Sequence, residues 1–177
     1  MLGDVMLEVT ATVTGSPRHS VSVAAVVIDD HDRTLLIQRR DNGHWEPPGG
    51  VLELGEQIID GLRREVAEET GLQVQPSALT GVYKNMTQGV VALVFRCRPA
   101  GGSPAGGGEA GGGEAGSEGS GPAISPAAGG GETAAVRWAS RQEVADLADP
   151  AFAVRVFDAI DFVMPPAVRA HDGVRLI

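Results

Sequence analysis

Residues 50–72 read Gly50-Val51-Leu52-Glu53-Leu54-Gly55-Glu56-Gln57-Ile58-Ile59-Asp60-Gly61-Leu62-Arg63-Arg64-Glu65-Val66-Ala67-Glu68-Glu69-Thr70-Gly71-Leu72. From Glu56 to Thr70 there is no proline and one glycine. Ile59, Leu62 and Val66 recur at three- and four-residue spacing, which predicts a helix with one buried stripe. Gly71 suits the left-handed residue that ends such a helix. At about 100° per residue, Glu68 falls about 60° to one side of Glu65 and Glu69 about 40° to the other. Three carboxylates therefore share one arc beside the apolar stripe. Like charges three and four positions apart repel, so the arrangement costs stability unless a cation sits among them. Hard oxygen ligands at this density suit Mg2+ or Mn2+. Arg64, next to Glu68 on the helical wheel, is placed to orient that carboxylate. The competing reading is a solvated acidic face. Against it stand the adjoining buried stripe and the turn Pro47-Pro48-Gly49-Gly50 just upstream, which can bring backbone carbonyls to the helix.

Working outward, Ser20–Asp29 is β-rich and apolar on both faces toward its end, as in a central strand. Asp29-Asp30-His31-Asp32 is turn-like, and Thr34–Arg39 resumes strand pattern, which predicts a hairpin over Val21–Arg39. Residues 40–50 read as a loop. Beyond the helix, strands are expected around Ala78–Lys84, Val90–Arg98 and Ala134–Trp138, with a looser edge strand over Glu8–Thr14. Ser140 with Glu143 three positions on is a capping box opening a short helix to Ala148. A last helix is expected over Pro150–Val163, stopped by Pro165-Pro166, and the tail to Ile177 carries no pattern. Strands on both sides of one helix with further helices late predict an α/β sandwich with a mixed sheet.

The chain has 177 residues and 25 glycines, about twice the ordinary share. Fourteen of them lie in residues 101–131. That tract has no aromatic residue and cannot bury enough surface to offset its ordering entropy, so it is expected to be a flexible insertion. The 146 residues outside it suffice for one core, and the whole of 1–177 is read as a single domain with a C-terminal helix and tail at 150–177. The net charge of −9 argues against a general nucleic-acid binder. Cys97, the one cysteine, permits no internal disulfide and no cysteine-based zinc cluster. No apolar run is long enough to span a membrane. The first residues lack a basic leader, so a cytoplasmic setting is expected.

Gly50, five residues, Glu56, seven residues, Arg64-Glu65-Val66, one residue, Glu68-Glu69, one residue, Gly71-Leu72 resembles the Nudix box with no departure. The resemblance extends upstream through Trp45-Glu46-Pro47-Pro48-Gly49-Gly50, and the strand order fits from about Ser20 to Leu147. It implies a Nudix-type α/β/α sandwich with a mixed central sheet. It also implies hydrolysis of the pyrophosphate linkage of a nucleoside diphosphate derivative, with water attacking phosphorus and divalent metal bridging phosphate oxygens. By the same resemblance Glu65, Glu68, Glu69 and the Gly49 carbonyl are metal ligands, Arg64 orients a glutamate, and Glu56 supports the site or a further metal. Family dimers are common, which makes a homodimer through the N-terminal strand or the 150–163 helix an expectation too.

Outside the box, Arg39 and Arg40 end a strand approaching the glycine turn, and arginine suits phosphate geometry. Lys84, the only lysine, and Asn85 are read as facing the same cleft. Trp45 either stacks on a nucleobase or closes the loop. His19, His31, His44 and His171 share no ligand spacing and read as surface residues; Trp138 and Cys97 read as core. The alternatives to a hydrolase are a non-catalytic Nudix-fold nucleotide-binding or regulatory module, and an interaction module built on the Gly-rich tract. The first normally lacks glutamates that are present here. The second has no aromatic anchor, and its only charges are the scattered Glu109, Glu114 and Glu118. The proline and tyrosine that mark ADP-ribose and diadenosine polyphosphate subfamilies are both absent from Thr87-Gln88-Gly89-Val90, which leaves a nucleoside triphosphate or a generic substrate.

Overall fold

Val23 to Ile28 form a run that is buried on both sides, and the chain builds outward from it. The computed structural model describes residues 17–101 and 131–177; the strand expected over 8–14 and the Gly-rich residues 102–130 lie outside them. Strand β1 (Ser20–Val27) pairs antiparallel with β4 (Gly49–Val51) and parallel with β6 (Val90–Pro99). Strand β5 (Val74–Asn85) adds antiparallel to β6, and β8 (Ala167–His171) adds parallel to β5. The resulting mixed sheet has the order β4-β1-β6-β5-β8. A second, three-stranded sheet holds β3 (Trp45–Glu46), β2 (Thr34–Arg39) and β7 (Thr133–Ala139) in the order β3-β2-β7.

Alternation along β1 divides the core in two. Val23, Ala25 and Val27 pack with Leu62 and Val66 of α1 (Ile58–Thr70). Ala24, Val26 and Ile28 pack with Val144 of α2 (Arg141–Leu147) and with Val156 and Ala159 of α3 (Pro150–Ile160). One sheet covered by α1 on one face and by α2 and α3 on the other is the α/β/α sandwich expected. Gly71 ends α1 at φ 72°, its N–H donating to the Ala67 carbonyl. Ser140 caps α2 with the reciprocal Glu143 contacts of a capping box.

Four local expectations need correction. β1 and β2 do not form a hairpin: they share one bridge, Ile28–Thr34, and part into different sheets. The turn itself is as read, since Asp29 accepts from the amides of His31 and Arg33 at 2.9 Å each. Both edges of β1 are already taken by β4 and β6, so β2 has no edge to join. Residues 40–50 are not loop throughout; they contain β3 and β4, too short to give a period. β5 starts at Val74 rather than Ala78, because a register shift between Pro76 and Ala78 lets the sheet tolerate a residue with no N–H. The tail is not featureless either, since β8 closes the far edge of the sheet. Of the two dimer-interface candidates, one lies outside the described residues. The other, α3, turns Ala151, Ala153, Val156 and Ala159 into the core.

Candidate active site

Helix α1 carries Arg64 as the hub of the acidic cluster. Its Nε and Nη2 donate to the two carboxylate oxygens of Glu56 at 2.8 and 3.0 Å. Its Nη1 donates to Glu65 at 2.9 Å and to Glu68 at 3.2 Å. The wheel argument places Arg64 on Glu68 alone; in fact one guanidinium gathers three carboxylates. Hydrogen bonding from Arg64 holds the Glu56 carboxyl below its ordinary value. Gly61 is what lets Glu56 come so close. A Cβ there would lie 2.7 Å from a Glu56 oxygen and 2.6 Å from Leu52.

The fourth carboxylate turns inward. Glu69 is buried and accepts from the Gly49 N–H at 2.8 Å, tying α1 to the glycine turn. Burial pushes its carboxyl up to about 8; the Gly49 amide opposes the rise, and the neighbouring Glu65 and Glu46 add to it. Burial also raises Glu65, against the pull of Arg64. Gly50 lies directly under Glu65, where a Cβ would fall 2.5 Å from the carboxyl carbon. Among the described residues, no three acidic, histidine or cysteine side chains already converge as a cage for a metal. The donor set nevertheless fits a hard divalent ion. Glu65, Glu68 and Glu69 offer carboxylate oxygens on one helix, Glu69 is a buried acid with no cationic partner within ion-pair distance among the described residues, and Mg2+ ordinarily needs only one or two carboxylates beside substrate phosphates and water.

A cavity of about 200 Å³ adjoins this cluster on the α3 side of the sheet. It runs from Gly49 and Gly50 on β4, across Ala24 and Ala92, to Asn85 on β5, with Phe152 and Arg155 of α3 in its wall. β4 is the outermost strand, so its side-chain-free glycines border both the α1 carboxylates and the cavity.

The residues outside the box divide sharply. Arg39 lines the cavity, paired with Asp41 at 2.9 Å and Glu46 at 3.5 Å. Arg40 does not line it and donates to the Thr133 carbonyl at 3.1 Å. Trp45 packs against the core with the Arg137 guanidinium 5.9 Å from its ring, which is the loop-closing alternative. Asn85 lines the cavity, but Lys84 does not. Lys84 pairs with Val91, two positions from Leu93 in the α1-side core, so it projects from the opposite face. Cys97 is fully buried, and Trp138 packs against the α1-side core.

Arg155 and His171 escaped the sequence reading. His171 is no surface residue: it is 0% exposed, with the Gly173 N–H on Nδ1 at 3.1 Å and Arg155 Nη2 at 3.1 Å from Nε2. Arg155 is 8% exposed, its guanidinium 4.5 Å from the Phe152 ring and 5.4 Å from the Tyr83 ring. Among the described residues its Nε has no hydrogen-bond partner. The frame around it is tied down by Asp158 of α3, which accepts from the Tyr83 hydroxyl at 2.6 Å and from Arg169 of β8 at 2.6 and 2.7 Å.

Comparison with known proteins adds to this geometry. The NUDIX domain profile matches residues 18–159. The MutT-like protein of Streptomyces ambofaciens is 45% identical over 164 residues, which is 93% of this chain and 91% of that protein. The 8-oxo-dGDP phosphatase NUDT18 of Homo sapiens is 42% identical over 83 residues, covering 45% of this chain but only 25% of that protein. Among solved structures, a NUDIX hydrolase from Nitrosomonas europaea superposes with a TM-score of 0.64 at 19% identity, over 88% of this chain and 81% of that one, a likeness of fold.

Proposed function

The chain belongs to the Nudix hydrolase family, and from that premise we propose that it is a metal-dependent hydrolase of the pyrophosphate linkage in a nucleoside di- or triphosphate or a related nucleotide. The observation that carries the reading is the Glu69–Gly49 bond, which joins the acidic helix to the rim of the cavity. Glu65, Glu68, Glu69 and the Gly49 carbonyl would hold Mg2+ or Mn2+. When bound, that ion would make the attacking water more acidic and neutralise charge on the leaving phosphate. Arg64 keeps Glu56, ahead of the helix, gathered with Glu65 and Glu68, one helical turn apart, so that the like charges hold one shape. Arg39, on the cavity wall, pairs with the substrate's phosphates. Water forms the new bond to phosphorus, the bridging P–O bond breaks, and a glutamate of the cluster takes the water's proton.

The test is a panel of nucleoside di- and triphosphates and nucleotide sugars with Mg2+. Phosphate release is followed with and without inorganic pyrophosphatase, and products are identified. Metal-dependent release from at least one nucleotide, abolished by EDTA, is expected. No release from any of them, or full activity in EDTA, would overturn the reading.

A further inference from the structure

Asp149 stands where a helix is usually capped, but its side chain is turned elsewhere. It is the N-cap residue of α3, and its backbone carbonyl accepts from the Phe152 and Ala153 amides at 2.8 and 2.9 Å. Aspartate at that position ordinarily turns a carboxylate oxygen onto the first free amides of the helix. Here it makes no such bond. Its carboxylate meets the β2–β3 loop instead, where His44 Nδ1 lies 2.7 Å from Oδ2. Oδ2 is shut off from solvent and has no hydrogen-bond partner among the described residues as the ring stands. Bare, Nδ1 would set a lone pair against the carboxylate; protonated, it completes an ion pair.

His44 is fixed from its own side. Its amide donates to Asn42 Oδ1 at 2.9 Å, and its carbonyl accepts from the Arg39 amide at 2.9 Å. The charged groups on the surrounding elements are engaged with one another. Arg39 pairs with Asp41 and Glu46, Arg137 of β7 pairs with Glu143 of α2, and Arg40 donates to the Thr133 carbonyl. Among the described residues, Asp149 is the carboxylate within ion-pair distance of the imidazole.

The pair joins two walls of the cavity. The chain runs on from His44 into Glu46 and Pro47, and from Asp149 into Phe152 and Arg155, all of which line it. Toward β5 and β8, α3 is tied by Asp158 to Tyr83 and Arg169 and by Arg155 to His171. Toward β3, His44–Asp149 is the one ionic or hydrogen-bonded contact between residues 39–51 and 149–160 among the described residues. Glu46 and Arg155 attract each other electrostatically but stand beyond ion-pair distance, so no direct bond closes that gap. Resting on the nucleotide reading above, we propose that His44 and Asp149 are positioning residues: paired, they hold the start of α3 to the β2–β3 loop and so fix the cavity width at which a nucleotide binds. Histidine ordinarily changes charge between about pH 5 and 8. The tie is therefore strongest at the acid end of that range, where the imidazolium supplies both the Nδ1 proton and the opposite charge.

Calorimetric titration of the full chain with AMP, GMP, CMP and UMP in Mg2+ reads the cavity without requiring turnover. For the tightest-binding of the four at about pH 6, His44→Ala and Asp149→Ala are each expected to weaken binding by about threefold to fivefold, the scale of a partly exposed ion pair. The double variant is expected to lose no more than either single one, because both remove the same contact. At about pH 8 the ratio of parent to variant affinity is expected to shrink to within about twofold. Taking the ratio at each pH cancels titration of the nucleotide phosphate and of the acidic cluster. Hydrogen exchange at about pH 6 is expected to quicken in residues 40–46 and 149–153 of either variant and to stay parental in residues 23–28. Near-UV circular dichroism checks folding; should one single variant fail, the other and its pH ratio decide. The proposal is overturned by parental affinity in a folded variant, by additive losses, by a ratio that is the same at both pH values, or by unchanged exchange in residues 149–153. It is also overturned if none of the four nucleotides binds. Nucleotide hydrolysis and binding indifferent to both substitutions defeat this proposal alone. Binding that weakens as expected in a chain that hydrolyses no nucleotide defeats the catalytic reading alone.

Discussion

At the β4 end of the cavity one guanidinium gathers three carboxylates and a fourth lies buried beside them; at the β5 end, among the described residues, the buried Arg155 guanidinium has no carboxylate within ion-pair distance, and Glu46 acts on it only from farther off. The first arrangement has surplus negative charge and hard oxygen donors, the second surplus positive charge and apolar walls. They also differ in origin. Every group of the acidic cluster lies within residues 49–69, while the other end draws on Asn85, Phe152, Arg155 and, behind it, His171. The acidic end offers the charge and hard donors that the proposed bond breaking needs, whereas the other end offers apolar walls and a largely buried arginine. Changes at the two ends are expected to alter different kinetic constants.

The largest effect is expected from Glu69→Gln and Glu65→Gln. Each keeps the side chain's shape and removes a charge and a ligand. Turnover in saturating Mg2+ should fall by about a hundredfold or more, with KM changed far less. Steady-state kinetics check it, and a Glu69→Gln variant with parental kcat would erase the contrast between the ends.

Arg64→Lys comes next. Lysine keeps the charge but cannot bridge three carboxylates in a fixed fork. Glu56, Glu65 and Glu68 would then be free to spread, so kcat should fall by roughly tenfold to a hundredfold and the Mg2+ needed for half-activity should rise. Titration of activity with Mg2+ separates this from a general loss of fold. An unchanged metal dependence would show that Arg64 does not shape the cluster.

Arg39 and Arg40, alike in sequence, divide in the structure, and that gives a smaller, sharper test. Arg39 lines the cavity and Arg40 is spent on the Thr133 carbonyl. Arg39→Ala should raise KM by about tenfold, about 1.4 kcal/mol, while Arg40→Ala leaves it within about twofold. Equal effects would move the phosphate contact away from the cavity wall.

The ends also differ in how much of them the sequence displays. The acidic helix is legible because its information is local: spacing on α1 fixes which carboxylates share a face, and Gly71 marks where it stops. The Ser140–Glu143 capping box is legible for the same reason. What the sequence hides is pairing at a distance. The Asp29 turn is visible, yet nothing in residues 20–39 says that β4 and β6 take both edges of β1 and send β2 to another sheet. Asn85 and Lys84 are equally placed by sequence. Only the strand's alternation against Val91 and Leu93 puts one in the cavity and the other behind it. His171 lies in a short strand of mixed exposure, so no apolar period announces it. Its role depends on Arg155, 16 residues earlier on a packed helix. A lone histidine and a lone arginine carry no motif until the fold joins them.

The smallest effect expected is on stability without metal, and it follows from the sign of one shift. In the unfolded chain Glu69 ionises around its ordinary value of 4.5; in the fold burial holds its proton until about 8. Between those pH values the folded state binds more protons than the unfolded one, so the fold loses stability as pH rises and stops losing it above the folded value. Glu65 and Glu46 are raised too and bend the curve the same way, whereas Asp29 and Asp158, held low by arginine contacts that outweigh their burial, act only at more acid pH. Subtracting the Glu69→Gln curve from the parent's isolates the one residue. Thermal melts in EDTA should show the variant and parent nearly level at pH 5. By pH 8 the variant should be the more stable by about 1 kcal/mol or more, about 2–4 °C in Tm. A cluster built for structure would give the opposite order, since its glutamate would be contributing stability in its ionised form. A parent that gains on the variant between pH 5 and 8 would therefore place Glu69 among the residues that hold the fold rather than those strained for a cation.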